Sequence, residues 1–495
     1  MYFRSTGVDD FQEIKKRSLG GIRSLLMRQV LTKLTFLIAN IALARLLAPQ
    51  IFGIFSIVSF IVQFFSLFGE VGLGAALIQK KDQLDQRELS SIFWFQQAVA
   101  WCMAIILILA APLLVTFYPS LPPVGVWLVR ALAVSLVVSS LKSVPVLQLE
   151  RNLDFTRIAY IDVAESISFH AVAVGLAYTG WGVWSFVIAA ICRSLTSVVV
   201  VFSCSHWRPS REYDFDAVRR LLRFGIPYQG NNILAFVKDA VTPIFLGVYA
   251  GAAAVGFVNW AKNFAFAPLM LSEVFGRVAF PAFSRIQEDK DLLARTVKRS
   301  IRMMTLIMFP FTAVMLAAAP ELIQLVFTAK WLPALPSFYF FCTSPLVIGI
   351  ILPMYSAILA LGNSRVILWM MILLLLLEWG IGIPAVMYSG FNGISFSQPI
   401  IALLFFYLYR TVLLREGVMV DTFRNIRYQA FAAAAMGILL KSCIAALQPG
   451  VFMLVALLIL IPLVYPVIVL LTQRSLLTEL LEYLALSVGK RVMSS

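Results

Sequence analysis

The chain has 495 residues, of which 61% are hydrophobic and 13% are charged, whereas an average soluble domain carries about 25% charged residues. This composition excludes a soluble globular protein, a disordered chain and a nucleic-acid-binding domain, and it indicates a membrane protein throughout. The net charge of +15 needs no polyanionic partner, because membrane proteins carry excess Lys and Arg in their cytoplasmic loops.

Apolar segments of spanning length follow one another along the chain, since a spanning helix needs about 20 mostly apolar residues. Short connections with Gly and Pro separate them. The fourteen predicted segments are 24–47, 51–77, 90–117, 123–147, 158–178, 181–203, 224–249, 254–284, 300–319, 334–361, 366–388, 391–413, 428–447 and 450–472. Fourteen spans place both termini on one side, whose connections hold 31 Lys and Arg against 2 on the other. This ratio predicts cytoplasmic termini.

The connections are short, which bears on catalysis. No loop has room for a catalytic or nucleotide-binding domain, and no GxxxxGK[ST] phosphate loop is present. The five cysteines are scattered without CxxC spacing and there are only two histidines, which disfavours a disulfide framework and a metal centre. The sequence therefore predicts a protein that is not an enzyme, with no metal and no cofactor.

A weak internal repeat organises the segments. LARLLAPQIFGIFS (43–56) is similar to FLGVYAGAAAVGFVN (245–259), with Gly53 aligned to Gly256. The alternative explanation of this match is a coincidence between two turns that are both rich in small residues. The offset of about six helices implies two halves of parallel topology, as in carriers with a membrane-normal axis. The predicted organisation is a cytoplasmic N-terminal segment 1–23, an N-lobe 24–203, an amphipathic linker 204–223, a C-lobe 224–413, a loop 414–427, two extra helices in 428–472, and a tail 473–495. The predicted fold is thus an all-α polytopic membrane protein with two six-helix lobes around a central cavity.

Polar side chains form stripes at helical spacing in the first, second, seventh and eighth segments. The same two positions in each half carry them, which favours one water-filled cavity between the lobes. The alternative is that these side chains bond neighbouring helices together. The uncharged candidates for lining the cavity are Gln29, Asn40, Gln63, Asn231, Asn232, Asn259 and Asn263.

Five basic residues on the same helices make the predicted cavity cationic. A cationic cavity suits an anionic ligand such as a pyrophosphate head group, although the cytoplasmic end residue Arg28 also fits a snorkelling role. The candidate substrate-binding residues are Arg28, Lys33, Lys238, Lys262 and Arg277.

Ionisable residues inside spans are expensive and usually have a partner or face a cavity. Similar depth suggests the pairs Lys33–Glu70 and Glu165–Arg193, and Glu273 lies one turn from Arg277, while Glu378 has no obvious partner. A structural ion pair and an ion-coupling role are both open for these groups, and Asp162 and His170 are weaker candidates for a proton relay. The ion-coupling or ion-pair candidates are Glu70, Glu165, Arg193, Asp239, Glu273 and Glu378.

Five stretches resemble a known family: LARLLAPQIFGIFSIVSF, LFGEVGLGAALIQKKD, LERNLDFTRIAYID, LLRFGIPYQGNNIL and FPAFSRIQED. They are similar to the polysaccharide-transporter family of the MOP exporter superfamily, in its branch of Wzx-type, colanic-acid-exporter-like flippases. The similarity runs from residue 20 to about 420. It implies two lobes that rock between inward and outward access, and a groove for a lipid tail in the two extra helices.

The resemblance implies a flippase that moves undecaprenyl-diphosphate-linked oligosaccharides across the plasma (inner) membrane for exopolysaccharide, O-antigen or capsule assembly. The expected partners are this lipid-linked oligosaccharide and membrane lipids, with a coupling ion (H+ or Na+) and the polysaccharide polymerase machinery as candidates; no nucleic acid is expected. The rivals are a cation-coupled drug exporter of the same superfamily, a lipid II flippase, and a glycan polymerase or ligase.

Overall fold

The structure is a computed structural model that describes residues 27–29, 31–70, 85–152, 154–205 and 207–472. Within the helices it leaves out some side chains, among them those of Glu70, Asn231, Glu273 and Arg277. The predicted segments 1–23 and 473–495 lie outside the described residues. Over the described ranges the chain forms helices and turns and no strand, which confirms the all-helical fold.

The chain divides into two compact units, Met1–Gly256 and Phe257–Ser495. Helices α1 to α9 belong to the first unit. They are α1 Met27–Leu46, α2 Pro49–Glu70, α3 Gln86–Thr116, α4 Gly125–Ser140, α5 Ser143–Arg151, α6 Phe155–Tyr178, α7 Trp184–Cys204, α8 Phe215–Asp239 and the single turn α9 Gly247–Tyr249.

Helix α10 begins in the first unit and continues into the second, and α11 to α18 belong to the second. They are α10 Gly251–Ala265, α11 Met270–Ser284, α12 Lys290–Glu321, α13 Leu335–Ala360, α14 Ser364–Ser389, α15 Gly393–Arg415, α16 Thr422–Leu447, α17 Val451–Leu460 and α18 Val464–Thr472.

Over the described residues each of the fourteen predicted apolar segments falls on helix, but a helical segment is not by itself a membrane span. Twelve helical stretches among the described residues are long and apolar enough to cross a membrane. One of them, Ser364–Arg415, covers two predicted segments, which a short turn at Gly390–Asn392 divides. The predicted segment 254–284 is not among the twelve, and a 3-10 turn at Ala267–Leu269 interrupts it. Fourteen spans therefore stay a prediction.

Helix α2 is held from two sides in the first unit by aromatic rings. Phe55 stacks on Phe186 of α7 with ring centroids 4.7 Å apart, and Phe60 stacks on Phe236 of α8 at 4.6 Å. Stacked aromatic pairs of this kind stabilise packing beyond their buried area. The polar stripe predicted on α2 is thereby carried on a helix fixed against both α7 and α8.

The helices α2 and α10 cross backbone to backbone at the two glycines aligned in the sequence repeat. A Cβ atom at Gly53 would lie 1.6 Å from the carbonyl oxygen of Ala252, and one at Gly256 would lie 2.0 Å from that of Pro49. In the aligned repeat, Gly53 corresponds to Gly256 and Pro49 corresponds to Ala252, each pair being 203 residues apart. Each glycine thus faces the carbonyl of the residue that corresponds to the other glycine's contact. The contact is therefore reciprocal, as at a local two-fold axis.

The described residues between α7 and α8, 205 and 207–214, form no helix and dock on the start of α3. Ser90 Oγ accepts from the Ser210 backbone N–H at 2.9 Å, and Ser91 Oγ accepts from that of Asp214 at 2.6 Å. Trp207 is buried with its ring 5.7 Å from that of Phe93. Helix α8 then starts inside the predicted linker 204–223 and runs without a break past the predicted start of the next span at 224.

The second unit has an aromatic core close to the turns that follow α12. Trp331 is fully buried and stacks on Trp260 of α10 at 5.1 Å, and Phe327 packs edge-on to Trp260 at 5.0 Å. Thr328 between these turns has φ of 116°, a conformation that costs a non-glycine residue free energy. The buried rings hold the strained turn in place.

Candidate functional site

An intramembrane ion pair joins α1 to α6 in the first unit. Arg28 Nη1 donates to Asp162 Oδ2 at 2.5 Å, and both side chains are partly accessible, with 26% and 38% of their surface exposed. Helix α6 begins with Asp154 as its N-cap, whose side chain accepts from the Arg157 backbone N–H. Asp162 lies two turns further along, about 10 Å from the helix start at 1.5 Å per residue. The predicted substrate-binding residue Arg28 is thus paired with an acid.

A second ion pair lies one turn further along α6. Glu165 accepts from Lys142 Nζ and from the hydroxyl of Ser197. The predicted pairing of Glu165 with Arg193 is therefore wrong, because Lys142 lies at the break between α4 and α5 and its side chain reaches α6. The Arg193 guanidinium instead lies over the ring of Phe169, 5.7 Å from its centroid.

A glutamine that was not among the predicted site residues connects α8 to α2. Gln229 is buried, and its Nε2 donates to the backbone oxygen of Leu67 at 2.6 Å. Its Oε1 accepts from Asn232 Nδ2 at 3.2 Å. Gln229 is three residues from Asn232, so the helical spacing already placed it beside the predicted stripe. The predicted lining residue Asn232 is thus part of a bond between helices.

Helix α8 ends at a pair of opposite charges. Lys238 Nζ contacts Asp239 Oδ1 at 2.9 Å, and a π-helical turn over Thr242–Leu246 follows. Such turns often occur at functional sites. Both residues were predicted at the site, Lys238 as a substrate ligand and Asp239 as an ion-coupling group, and the structure places them together.

The remaining predicted residues of the first unit lie on α1 and α2. Lys33 and Gln63 are exposed, and Gln29 is partly buried. The side-chain amide of Asn40 donates to the backbone of Phe36 in its own helix at 2.9 Å. The predicted partner of Lys33, Glu70, has its side chain outside the described atoms, as does Asn231, so the pair Lys33–Glu70 stays a prediction.

In the second unit, the predicted residues lie on α10, α11 and α14. Lys262 lies over the ring of Phe266 at 5.8 Å, while Asn263 is exposed and Asn259 partly buried. The side chains of Glu273 and Arg277 are outside the described atoms.

Glu378 of α14, for which the sequence offered no partner, accepts from Gln398 Nε2 of α15 at 2.8 Å and 3.1 Å through its two oxygens. The amide satisfies the carboxylate without neutralising its charge. Convergence of the polar groups of the two units on one cavity stays a prediction.

The amino-acid sequence is similar to those of bacterial proteins of polysaccharide biosynthesis, one of which is named a transport protein. It is 26% identical to the succinoglycan biosynthesis transport protein ExoT of Rhizobium meliloti (strain 1021), over 89% of this chain and 90% of that protein. It is 23% identical to the lipopolysaccharide biosynthesis protein WzxC of Escherichia coli (strain K12), over 70% of each chain. Both alignments span most of either protein.

Solved structures show the same fold. The lipid II flippase MurJ in an inward closed conformation superposes with a TM-score of 0.73 at 14% identity, covering 93% of this chain and all of that one. An inward-facing multidrug resistance MATE family transporter of the MOP superfamily gives a TM-score of 0.63 at 14% identity, covering 80% of this chain and 99% of that one. At this identity the likeness establishes the fold.

These findings confirm the resemblance noted in the sequence. The model of the family described as polysaccharide biosynthesis protein matches residues 42–336, more than half of the chain. That range takes in α2, the docked linker and the glycine crossing. The protein belongs to this polysaccharide biosynthesis family.

Proposed function

We propose that this protein is a flippase that moves undecaprenyl-diphosphate-linked oligosaccharides from the inner to the outer leaflet of the plasma (inner) membrane by alternating access. The observation that carries the proposal is the similarity to a succinoglycan transport protein over about nine tenths of both chains. The fold of a lipid II flippase over 93% of the chain supports it. The proposal involves transport and no covalent chemistry.

The charges of the helices are consistent with an anionic lipid. The residues proposed to hold the diphosphate and sugars are those of the polar stripes on α1, α2, α8, α10 and α11, with Arg28, Lys33, Lys238, Lys262 and Arg277 as the cations. Arginine binds phosphate through paired hydrogen bonds and lysine through its point charge. The proposed orientation, with both termini in the cytoplasm, follows from the charge asymmetry of the loops.

An ion gradient or the membrane potential is proposed to reset the empty carrier. A membrane potential of 100 mV contributes a free energy of about 2.3 kcal/mol for each elementary charge that crosses the membrane. This free energy is sufficient to drive the movement of a multiply charged head group. Glu378, whose carboxylate accepts two hydrogen bonds from Gln398, and Asp239 are the candidate sites for H+ or Na+. Polysaccharide polymerase machinery is the proposed downstream partner.

The experiment uses proteoliposomes that contain a fluorescent undecaprenyl-diphosphate glycan. A membrane-impermeant quencher reports the fraction of glycan lipid in the outer leaflet with time, with and without an imposed potential. We expect protein-dependent movement in the wild type and loss of movement when Lys33, Lys262 and Arg277 are together changed to Gln. The matched control changes three exposed arginines outside the stripes, Arg211, Arg219 and Arg295, to Gln.

Three results separate the alternatives. Movement of several lipid-linked glycans supports the proposal, and movement of lipid II alone identifies a peptidoglycan-precursor flippase. Absence of glycan movement together with efflux of small cationic dyes identifies a drug exporter, in line with the multidrug resistance MATE family transporter of similar fold. Unchanged transport in the triple variant of the stripes contradicts the assigned cationic site.

A further inference from the structure

Two carboxylates lie one turn apart on α6, and the structure treats them differently. Glu165 has a cation and a hydroxyl as partners, and 13% of its side chain is exposed. Among the described residues Asp162 has Arg28 as its one ion-pair partner, and 38% of its side chain is exposed. Glu165 is thus locked into the packing of α6, whereas the bond of Asp162 to Arg28 is open to competition.

Arg28 combines the features of a phosphate ligand with an occupied guanidinium. It lies at the predicted cytoplasmic end of α1, directly before Gln29 and five residues before Lys33. A guanidinium presents five N–H donors in a planar fork that fits carboxylate and phosphate oxygens alike. The carboxylate of Asp162, bonded to Nη1, therefore takes a position that a phosphate oxygen on Arg28 would also use.

We propose that Asp162 is a placeholder that holds Arg28 until the phosphate group of the cargo displaces it. The inference rests on the proposed function and names a positioning residue for it. The pair keeps the guanidinium partnered in the empty carrier, and the apparent affinity for every phosphate ligand that needs free Arg28 is lowered by the same factor.

The exchange leaves the neighbouring pair intact. Lys142 stays bonded to Glu165, so Asp162 does not gain that cation when it leaves Arg28. The displaced Asp162 remains on the partly exposed face of α6, where water solvates it. The structure therefore assigns the placeholder role to Asp162 alone and a packing role to Glu165.

The test measures binding of undecaprenyl diphosphate and undecaprenyl monophosphate to the full-length protein in nanodiscs. Removing the competitor in Asp162→Asn raises the populated fraction of free Arg28, and we expect about fivefold tighter binding of the monophosphate from a partly exposed pair. We expect at least the same gain for the diphosphate, because both lipids need the same free guanidinium. Arg28→Gln weakens both, and in Arg28→Gln with Asp162→Asn the gain disappears. Asp162→Ser carries the same test if Asp162→Asn does not fold.

The matched control is Asp154→Asn, which removes the same charge from the same helix. Asp154 is paired with Arg157, and Asn caps a helix about as well as Asp, so we expect wild-type affinity for both lipids. Equal gains in Asp154→Asn and Asp162→Asn would show a general charge effect and overturn the placeholder. Persistence of the gain without Arg28 would overturn it as well.

The same measurement separates this inference from the proposed function. If the wild type binds undecaprenyl diphosphate and moves lipid-linked glycans while Asp162→Asn binds both lipids as the wild type does, only the placeholder is wrong. If the wild type neither binds the diphosphate nor moves any lipid-linked glycan, both proposals are wrong.

Discussion

Replacing Gly53 by Ala tests the backbone crossing of α2 and α10. The added Cβ would lie 1.6 Å from the Ala252 carbonyl oxygen, 2.5 Å from its carbon and 3.0 Å from the Gly256 nitrogen. All three atoms belong to backbone, so no side-chain rotation relieves the clash and the helices must separate by more than 1 Å. Overpacking a closed contact costs about 3 kcal/mol, while Ala in place of Gly stabilises a helix interior by about 1 kcal/mol. We expect a net loss of about 2 kcal/mol.

The control lies on the same helix. Gly69 has no atom within 4 Å of its added Cβ, so Gly69→Ala is expected to gain up to about 1 kcal/mol from helix propensity alone. The assay is thermal unfolding of both purified variants in the same detergent, with the remaining folded fraction measured by fluorescence-detected size-exclusion chromatography. Equal midpoints for the two variants would refute the assigned crossing. Because Gly53 and Gly256 share the contact, Gly53→Ala with Gly256→Ala is expected to cost less than the sum of the single changes.

Three further changes test the packing around the site. Trp207→Ala empties the pocket that docks the linker on α3, and thermal unfolding should show a loss of about 3 kcal/mol. Lys142→Met leaves the mostly buried carboxylate of Glu165 unpaired and should cost about 3 kcal/mol, whereas adding Glu165→Met should restore most of the stability; an equally unstable double variant would contradict the pair. Gly393→Ala places a Cβ 2.1 Å from the backbone of Ala385 and should lower the yield of folded protein, measured as the monodisperse fraction after extraction.

The helices were predictable because a bilayer imposes a simple rule on the sequence. Unpaired backbone groups are not tolerated in hydrocarbon, so every apolar stretch of spanning length has to be helical. Each predicted segment accordingly falls on helix. The continuity of α8 through residue 224 was not predictable in this way, because hydropathy marks only where the apolar residues begin. A helix extends into the polar residues before that point when its backbone hydrogen bonds continue there.

The partners of the charged groups were harder to predict. Matching by depth assumes straight helices, and it assigned Arg193 to Glu165. The chain bends at Leu141–Lys142 between α4 and α5, which turns Lys142 toward α6, and a hydropathy profile carries no sign of this bend. The amide partner of Glu378 was missed for a related reason. Partners were predicted from opposite charges, and Gln398 is uncharged.

The reciprocal glycine contact has a consequence for the number of positions that the crossing constrains. In a symmetric homodimer, one residue position serves both sides of a contact on the two-fold axis. Within a single chain the same crossing needs a glycine at two separate positions. Gly53 admits the carbonyl of Ala252 and Gly256 admits that of Pro49, so a side chain at either position blocks its own half of the contact and the other glycine cannot compensate.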